Sequence, residues 1–347
     1  MRIVVLAGGW SPERNVSLTS GTLIANALIR KGHKVLLLDA FCGMPDARDV
    51  PIEDLFAKTE YPIPQISETV PDLEKLKRLS GNPKSYIGPE VMRLCSEADV
   101  VYLGLHGGMG ENGQVQATFD SFGIRYTGSG YVGSLLAMDK GLSKETLRMH
   151  GILVPDGIVV KKRDATSPDL SRVRIPCVVK PASCGSSVGV SLIFHKDELG
   201  PALNEAFKWC DEVIVEDMIC GRELTMAVLG GMCYPPIEIR RRSGFYDYKN
   251  KYQSGMTEEI CPAPLSEDVL EKLETISLRA FNVLKLRSYA RFDFILSDAG
   301  DIYLLEANTL PGMTPVSLLP QMAKAAGVSY DDLCEKIAKS ALTDKDS

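Results

Sequence analysis

Two acidic residues and an asparagine lie on adjoining apolar segments near the end of the sequence. Asp293 lies in Tyr-Ala-Arg-Phe-Asp-Phe-Ile-Leu, and Glu306 and Asn308 lie in Ile-Tyr-Leu-Leu-Glu-Ala-Asn. Carboxylate and amide oxygens are ligands that suit Mg²⁺, which keeps positions for water and substrate phosphates. Arg291 adds a guanidinium to the same group. These residue types predict a metal site, provided that the two segments pair.

A hairpin would bring these side chains together. The Asp- and Gly-rich residues 298–301 predict a four-residue loop between two strands. That loop places Asp293 opposite Glu306 on one face of the sheet. In the same register Arg291 faces Asn308. Two carboxylates about 4 Å apart repel by about 4 kcal/mol at an effective dielectric constant of 20, so a cation is expected between them.

The hairpin interpretation has an alternative. A loop one residue longer or shorter would put Asp293 and Glu306 on opposite faces and remove the site. An exposed hairpin with an ordinary arginine–carboxylate pair also fits the same residues.

Lys180 begins a second candidate site, because a Gly- and Ser-rich loop follows it as far as Gly189. Small residues leave backbone N–H groups free to surround phosphate oxygens, and the lysine supplies charge. The loop is not a Walker A motif, since its lysine precedes the glycines. A purely structural loop is the alternative. We interpret Cys184 as a tolerated small residue rather than a nucleophile, since no histidine lies near it in the sequence.

Two further polar residues lie at strand ends. Glu216 closes an apolar strand. Its carboxylate and the exposed backbone as far as Ile219 are suited to hydrogen bonding with the polar edge of an adenine ring. A charged strand end is the plainer interpretation. His106 follows another buried strand, beside three glycines and Glu111, and this position suits a site residue better than a core histidine.

The whole chain has the composition of an ordinary soluble globular protein. Its 347 residues allow two or three domains, and it is 45% hydrophobic and 24% charged. A net charge of -6 and a pI near 5.4 argue against binding to nucleic acid or to an anionic membrane. We find neither a secretory signal nor a run of about 18 apolar residues that would span a membrane. Nine scattered cysteines without a Cys-x-x-Cys pair indicate reduced thiols in the cytoplasm.

The hydrophobic pattern predicts a βαβ opening. It consists of a strand at Arg2–Ala7, a helix over residues 17–30 and a strand at Lys34–Asp39. The first turn lacks Gly-x-Gly-x-x-Gly, which disfavours a dinucleotide-binding oxidoreductase. Residues 43–95 are interpreted as an elaboration, and a strand is predicted over residues 100–105.

The remaining elements form α+β units. One helix is predicted from the turn at residues 128–130 to Gly151, carrying Lys140 and Lys144. The other predicted elements are strands at 157–161, 177–180, 212–216 and 223–229, helices at 196–209 and 266–284, a polar loop at 242–257, the hairpin, and closing helices.

Taken together, these residues resemble the D-alanine–D-alanine ligase family of the ATP-grasp superfamily. The matching stretches follow the family's order along nearly the whole chain. They are residues 8–18, 106–113, 126–130, 138–140, 179–189, 216, 221–223, 245–252 and 289–320. The resemblance implies an ATP-grasp fold with an N-terminal βαβ domain (1–130), a small central α+β domain (131–223) and a C-terminal catalytic α+β domain (224–347).

The resemblance also implies a reaction. ATP would phosphorylate the carboxylate of a first D-alanine, and the amine of a second would attack the acyl phosphate and release phosphate. The D-alanyl-D-alanine formed would serve peptidoglycan precursor synthesis. ATP and a pair of Mg²⁺ ions, for which Mn²⁺ can substitute, are the implied cofactors. The implied protein is a cytoplasmic homodimer whose partners are small molecules.

The family match assigns a role to each candidate residue. Lys140 and Lys180 would hold phosphates, Glu216 and Ile219 the adenine, Glu223 the ribose, and Asp293, Glu306 and Asn308 the metal. Arg291 and the backbone N–H of Gly312 would stabilise the tetrahedral oxyanion. Glu13 would bind the first ammonium, His106 would lie near the first carboxylate, and Lys251 and Ser317 would hold the second carboxylate. Tyr252 would close over the site with Ser186 and Glu13 and exclude water.

The second substrate depends on few residues. The Lys251-Tyr252 pair and an apolar wall at Leu318 favour D-alanine over D-serine or D-lactate. Apolar contact alone separates a methyl from a hydroxymethyl group by only about 10²-fold, so a resistance-type D-serine or D-lactate ligase is the alternative. A non-catalytic nucleotide-binding protein is disfavoured, because all the charged site residues are present. Asp217 and Met218, beside the expected adenine site, and Cys184 depart from the family pattern.

Overall fold

The structure is a computed structural model that describes residues 1–57, 59–64, 71–79, 84–164, 170–185, 188–241 and 257–343. Within these ranges the chain forms three β-sheets with helices packed against them. Ser186, Lys251 and Tyr252, to which the sequence assigns roles, lie outside the described residues.

The first sheet is parallel and has the order β2-β1-β3. It contains β1 (Arg2–Ala7), β2 (Lys34–Asp39) and β3 (Val100–Leu103), and α1 (Arg14–Arg30) connects β1 to β2. The central strand is almost wholly apolar because it has a neighbour on each edge and is covered on its faces. The predicted βαβ opening is confirmed, with the helix beginning three residues earlier than predicted.

Short elements connect β2 to β3. They are a 3₁₀ turn (Pro45–Asp49), α2 (Ile52–Leu55), α3 (Leu73–Leu79) and α4 (Val91–Ser96). Phe56 and Leu94 are buried in the same core as β1. This part of the chain therefore extends the first unit, as predicted for an elaboration.

The helix predicted from residue 131 to Gly151 is two helices. After a 3₁₀ turn (Gly108–Gly110) and α5 (Gln114–Phe122), the chain forms α6 (Tyr131–Met138) and α7 (Lys140–Met149). The break lies at Asp139, whose backbone is extended and whose Oδ1 accepts hydrogen bonds from the N–H groups of Gly141 and Leu142, each at 3.0 Å. An aspartate that caps a new helix in this way cannot also continue the preceding one.

The second sheet is antiparallel, in the order β4-β7-β5-β6. Its strands are β4 (Gly157–Lys161), β5 (Cys177–Pro181), β6 (Ser191–Ile193) and β7 (Glu212–Asp217). A 3₁₀ turn (Lys162–Asp164) follows β4, and another (Lys196–Glu198) leads into α8 (Leu199–Ala206). The apolar side of α8 covers one face of this sheet.

The third sheet is the largest and has the order β11-β10-β8-β12-β13, with β9 on β8. Its strands are β8 (Gly221–Leu229), β9 (Met232–Cys233), β10 (Ile237–Arg241), β11 (Thr257–Ile260), β12 (Tyr289–Ser297) and β13 (Ile302–Asn308). Helix α9 (Glu267–Val283) packs its Leu273 and Ala280 against Phe292 and Phe294. One face of β12 is thereby buried, and its other face carries the polar residues.

The hairpin β12–β13 pairs Asp293 with Glu306 and Arg291 with Asn308, so the predicted register is confirmed at the site. The four residues 298–301 lie between the two strands as predicted, but the pairing next to them differs from the prediction.

Nearer the turn, Leu296 pairs with Ile302, and the N–H of Ser297 donates to the carbonyl of Asp301 at 2.9 Å. This pairing is one residue out of step with the prediction. A bulge between Asp293 and Phe294 on one strand and Leu304 and Glu306 on the other restores the register, with Leu305 as the additional residue.

The last two helices, α10 (Leu318–Ala325) and α11 (Tyr330–Thr343), join the core of the first sheet. Helix α11 packs on α1 and β3, and α10 packs on α11 and β8. Leu333 and Ile337 of α11 are fully buried there. Arg30 of α1 forms an ion pair with Asp331 at 2.7 Å, and Lys31 forms one with Asp332 at 2.8 Å. The end of the chain therefore completes the core formed at its beginning. No helix among the described residues is long and apolar enough to cross a membrane.

Candidate active site

A buried carboxylate and two lysines meet on one face of the second sheet. Glu216 and Lys180 lie on the paired strands β7 and β5, and Lys180 Nζ is 2.7 Å from Glu216 Oε1. Lys144 of α7 forms an ion pair with Oε2 of the same carboxylate. All three side chains are buried. Two ammonium groups thus share one carboxylate away from water.

This arrangement shifts the pKa of each member. Burial lowers the pKa of Lys144 to about 7. Burial opposes the charge on Glu216, but the two lysines outweigh it and lower the pKa of that carboxyl. Burial likewise opposes the charge on Lys180, but Glu216 and Glu306 outweigh it and raise the pKa of that amine. Lys180 is therefore a fixed cation at neutral pH.

Lys140 connects the Gly- and Ser-rich loop to the hairpin. It is the first residue of α7, and its Nζ donates to the carbonyl oxygen of Cys184 at 2.7 Å. The same nitrogen is 3.5 Å from Glu306 Oε2. The cap at Asp139 fixes the start of α7, and therefore also fixes where Lys140 enters the site.

The polar face of the third sheet carries a bidentate pair. Arg291 donates from Nε and Nη2 to the two oxygens of Asp293, at 2.9 and 2.8 Å. Thr225 of β8 donates from Oγ1 to Asp293 Oδ1 at 2.7 Å. Arg291 is buried, and this fork holds its guanidinium in one orientation.

The same face carries the residues predicted to bind metal. Asp293 and Glu306 face each other, and Asn308 lies two residues further along β13, where its Oδ1 accepts from the N–H of Leu310 at 3.1 Å. Two carboxylates and an amide oxygen are hard ligands that fit Mg²⁺. No group of three or more His, Cys, Asp or Glu side chains in the described part of the chain could hold a metal ion. A cation here would therefore need the amide and the oxygens of a bound ligand to complete its coordination.

Glu13 enters the site from the first sheet. It lies at the start of α1, where Arg14 forms an ion pair with Asp39 and donates to the carbonyl of Gly9 at 2.9 Å. A Cβ added at Gly107, whose φ is +69°, would lie 2.9 Å from Glu13 Oε2, and one at Gly185 would lie 3.4 Å away. The Glu13 carboxylate is thus placed between the loop after β3 and the Gly- and Ser-rich loop.

Glu111 is the second carboxylate on this side. It accepts from the N–H of Gly107 at 2.6 Å. Burial and the negative charge of Glu13 raise the pKa of Glu111 to about 8, although Lys140 and Arg291 act in the opposite direction. Charged side chains from the first unit, from α7 and from the third sheet therefore lie close enough to act on one another. Such a group of side chains can bind an anionic phosphate chain, a divalent cation and a small ammonium group together.

Comparisons with known proteins identify the family. The family model described as D-ala D-ala ligase N-terminus matches residues 2–129, and the one described as D-ala D-ala ligase C-terminus matches residues 147–339. The D-alanine–D-alanine ligase of Pediococcus pentosaceus is 42% identical over 97% of this chain and 96% of its own length. That of Lacticaseibacillus casei is 43% identical over 99% of this chain and 96% of its own length.

The chain belongs to the D-alanine–D-alanine ligase family. A solved structure agrees with this: the D-alanine–D-alanine ligase of Bacillus anthracis complexed with ATP has 32% sequence identity and a TM-score of 0.75, covering 99% of this chain and 97% of that one. The three-sheet architecture is accordingly the ATP-grasp fold that the sequence predicted.

Contacts and charges bring most of the predicted ligase residues together. Lys180 contacts Glu216, Lys140 contacts Glu306, and Arg291 contacts Asp293. Glu13 lies near the same group, because its carboxylate is close to Gly185 and its charge raises the pKa of Glu111. The positions fit the predicted roles, and the roles themselves stay predictions.

The remaining predicted residues lie around this group. Ile219 follows β7, Glu223 lies near the start of β8, and His106 is buried in the loop after β3. A Cβ added at Gly312 would lie 2.9 Å from Ser317 Oγ. Leu318 begins α10 and is buried in the core of the first unit, so its role as the wall of a substrate pocket stays a prediction.

Sequence reasoning assigned no function to three residues that interact with the predicted site residues. Lys144 lies four residues after Lys140, a spacing that puts both on one side of a helix and was the available signal. Glu111 lies in the same motif as His106. Thr225 gave no signal, because its contact with Asp293 depends on which strands are neighbours.

Proposed function

We propose that this chain catalyses the ATP-dependent ligation of two D-alanine molecules to D-alanyl-D-alanine. The observation that carries the proposal is the convergence of Lys140, Lys180 and Arg291 with the facing pair Asp293 and Glu306, in a chain that matches nearly the whole length of its relatives. ATP is the proposed nucleotide, in keeping with the bound ATP named for the Bacillus anthracis relative.

The first step uses residues from all three sheets. Lys140 and Lys180 would bind ATP phosphates, and Glu216, Ile219 and Glu223 would bind its adenosine. Glu13 would bind the ammonium of the first D-alanine, with His106 near its carboxylate. A carboxylate oxygen attacks the γ-phosphorus, the bond to the bridging oxygen breaks, and ADP leaves. The product is an acyl phosphate, and an amine attacks an acyl phosphate far more readily than it attacks a free carboxylate.

The second step forms the amide. The amine of the second D-alanine attacks the carbonyl carbon of the acyl phosphate, and phosphate leaves from the tetrahedral intermediate. Arg291, held by Asp293, and the N–H of Gly312 would donate to the oxyanion, and Ser317 with Lys251 would bind the second carboxylate. Tyr252 and Ser186, with Glu13, would exclude water from the acyl phosphate.

Asp293, Glu306 and Asn308 would hold Mg²⁺, which neutralises phosphate charge when it is bound. Nothing in the described structure favours D-serine or D-lactate as second substrate. We further propose that the chain consists of three domains, at residues 1–130, 131–223 and 224–347. We also propose that it forms a homodimer and acts in the cytoplasm, in the synthesis of peptidoglycan precursors.

The test is ADP release by the purified full-length chain with ATP and Mg²⁺, together with chromatography of the product. We expect ADP release to require D-alanine, with D-alanyl-D-alanine as product, and D-serine or D-lactate to compete poorly as second substrate. Lys180→Met should abolish nucleotide binding. Lys161→Met, on an exposed lysine of the same sheet, should behave as the wild type. Absence of dipeptide at saturating D-alanine from folded protein would refute the proposal.

A further inference from the structure

Two cysteines face each other at the edge of the nucleotide side of the second sheet. In the antiparallel pair β5–β7, Lys180 pairs with Ile214 and Pro181 pairs with Val213. The ladder continues past the strand end, because the N–H of Ala182 donates to the carbonyl of Glu212 at 2.9 Å. Ala182 and Ser183 then form a turn, and Cys184 follows them near Cys210, which lies two residues before the start of β7.

A disulfide needs two cysteines whose side chains meet, with Cα atoms about 4.4 to 6.8 Å apart. The side chains of Cys184 and Cys210 do interact. Both residues are free cysteines and only half-buried, so a small molecule can reach them.

The contacts of the two sulfurs agree with this placement. Cys184 Sγ lies 3.8 Å from the carbonyl oxygen of Trp209, the residue before Cys210. Cys210 Sγ donates to the carbonyl of Glu212 at 2.6 Å. The two thiols also interact with each other, and this interaction is the main cause that lowers the pKa of Cys210 to about 5. Cys210 is accordingly the thiol that ionises first and attacks.

We propose that Cys184 and Cys210 form a reversible disulfide that weakens nucleotide binding. The oxidant is a low-molecular-weight disulfide. The Cys210 thiolate attacks one of its sulfurs and expels a thiolate, which leaves a mixed disulfide on Cys210. The Cys184 thiolate then attacks the Cys210 sulfur and expels the second small thiolate. The protein loses two hydrogens, and the small disulfide is reduced to two thiols.

The effect on nucleotide binding follows from the position of Cys184. Its carbonyl oxygen accepts the hydrogen bond from Lys140 Nζ, and Gly185 beside it approaches Glu13. A covalent bond to Cys210 fixes this loop in one position and prevents it from adjusting to phosphates. The inference therefore rests on the proposed function for its consequence, whereas the disulfide itself does not.

The experiment uses the full-length chain equilibrated with oxidised or reduced glutathione. Peptide mapping after alkylation detects the bond, and calorimetric titration with ATP measures affinity. We expect a Cys184–Cys210 crosslink, the loss of two alkylatable thiols, and a dissociation constant for ATP raised by about tenfold and restored by dithiothreitol. Cys210→Ser should bind ATP normally and lose the response. Cys220→Ser, at an exposed cysteine after β7, should keep it.

Two results would overturn the inference. One is mapping that finds glutathione on either cysteine, or both thiols unmodified, without a crosslink. The other is a complete crosslink that leaves ATP affinity unchanged, which would show that the bond is not a switch. If the reduced chain makes no dipeptide, the proposed function fails, while the mapping still decides whether the disulfide forms.

Discussion

Glu306 connects the phosphate side of the site to the hairpin, since it lies 3.5 Å from Lys140 Nζ and faces Asp293. Glu306→Gln keeps the size of the side chain and removes its charge. We expect kcat to fall by about 10²-fold, as for loss of one positioned charge at a reacting phosphate, with the fold intact by circular dichroism. Steady-state kinetics over a range of Mg²⁺ concentrations measures the change.

Glu271→Gln on the exposed side of α9 is the control for this substitution and should keep wild-type turnover. If Glu306→Gln turned over at a near wild-type rate, Glu306 would be neither a metal ligand nor a group that acts on the phosphates.

Glu111 makes the stability of the chain depend on pH. Its pKa is raised from 4.5 to about 8, first by burial and then by Glu13. Between these values the folded chain holds a proton that the unfolded chain has lost. The stabilisation by protonated Glu111 is therefore complete below about pH 4.5 and is lost as the pH rises through about 8.

Glu111→Gln removes this dependence, because glutamine stays neutral. Relative to the wild type, the variant should gain stability steadily from about pH 5 to about pH 9. Urea unfolding midpoints at several pH values measure the difference. A difference that does not change with pH would show that Glu111 does not titrate in this range.

At residue scale, the motifs singled out side chains that lie close together, while their roles stay predictions. Lys140, Lys180 and Glu216 were recognised from their neighbours in the chain. The second lysine on Glu216 was not recognised. Apart from its spacing from Lys140, Lys144 has the sequence environment of a helical surface lysine, and its ion pair with Glu216 is a long-range contact that buries it.

At the scale of single elements, the cap at Asp139 determines where Lys140 and Lys144 lie. Asp139→Ala removes the acceptor of two backbone N–H groups and should cost about 1 kcal/mol of stability. We also expect weaker ATP binding, because both lysines lie on the helix that loses its cap. Thermal unfolding and ATP titration measure the two effects.

Asp139→Asn is the matched variant, since asparagine is an equally good cap residue. It should retain both stability and ATP affinity. If Asp139→Asn lost ATP affinity as fully as Asp139→Ala, the charge of Asp139, and not its capping, would be responsible.

The hairpin shows how a correct pairing at the site can follow from an incorrect pairing at the turn. The prediction assumed a regular ladder from the turn to the site. The pairing at the turn is one residue out of step, and the bulge at Leu305 compensates for it. Leu305 is apolar like its neighbours, so the sequence carries no mark of the bulge.

For the whole molecule, the contact of α11 with the first sheet is the main long-range feature. Ile337→Ala should destabilise the chain by about 2 to 5 kcal/mol, because Ile337 is fully buried in the core that contains β1. Hydrogen exchange should become faster in β1 and β3, far away in the sequence. Lys339→Ala on the exposed side of the same helix is the control. Faster exchange confined to α11 would show that the helix docks without stabilising the sheet.

The order of elements was largely predictable from the sequence, and the packing of the closing helices was not. Periodicity shows that a helix has a buried face, but it does not show which surface covers that face. The first and last parts of the chain meet through apolar contacts and the ion pairs of Arg30 and Lys31, none of which leaves a local pattern.

This closing contact also has a consequence for synthesis of the protein. A ribosome releases β1, α1 and β2 long before it releases α11, whose Leu333 and Ile337 lie against them. Until then, apolar surface of the first sheet stays open to water and to other nascent chains. The beginning of the protein can therefore finish folding only after almost the whole chain has been translated. Chains that lack α11 should therefore leave apolar surface exposed on the first sheet, where chaperones and proteases can bind it.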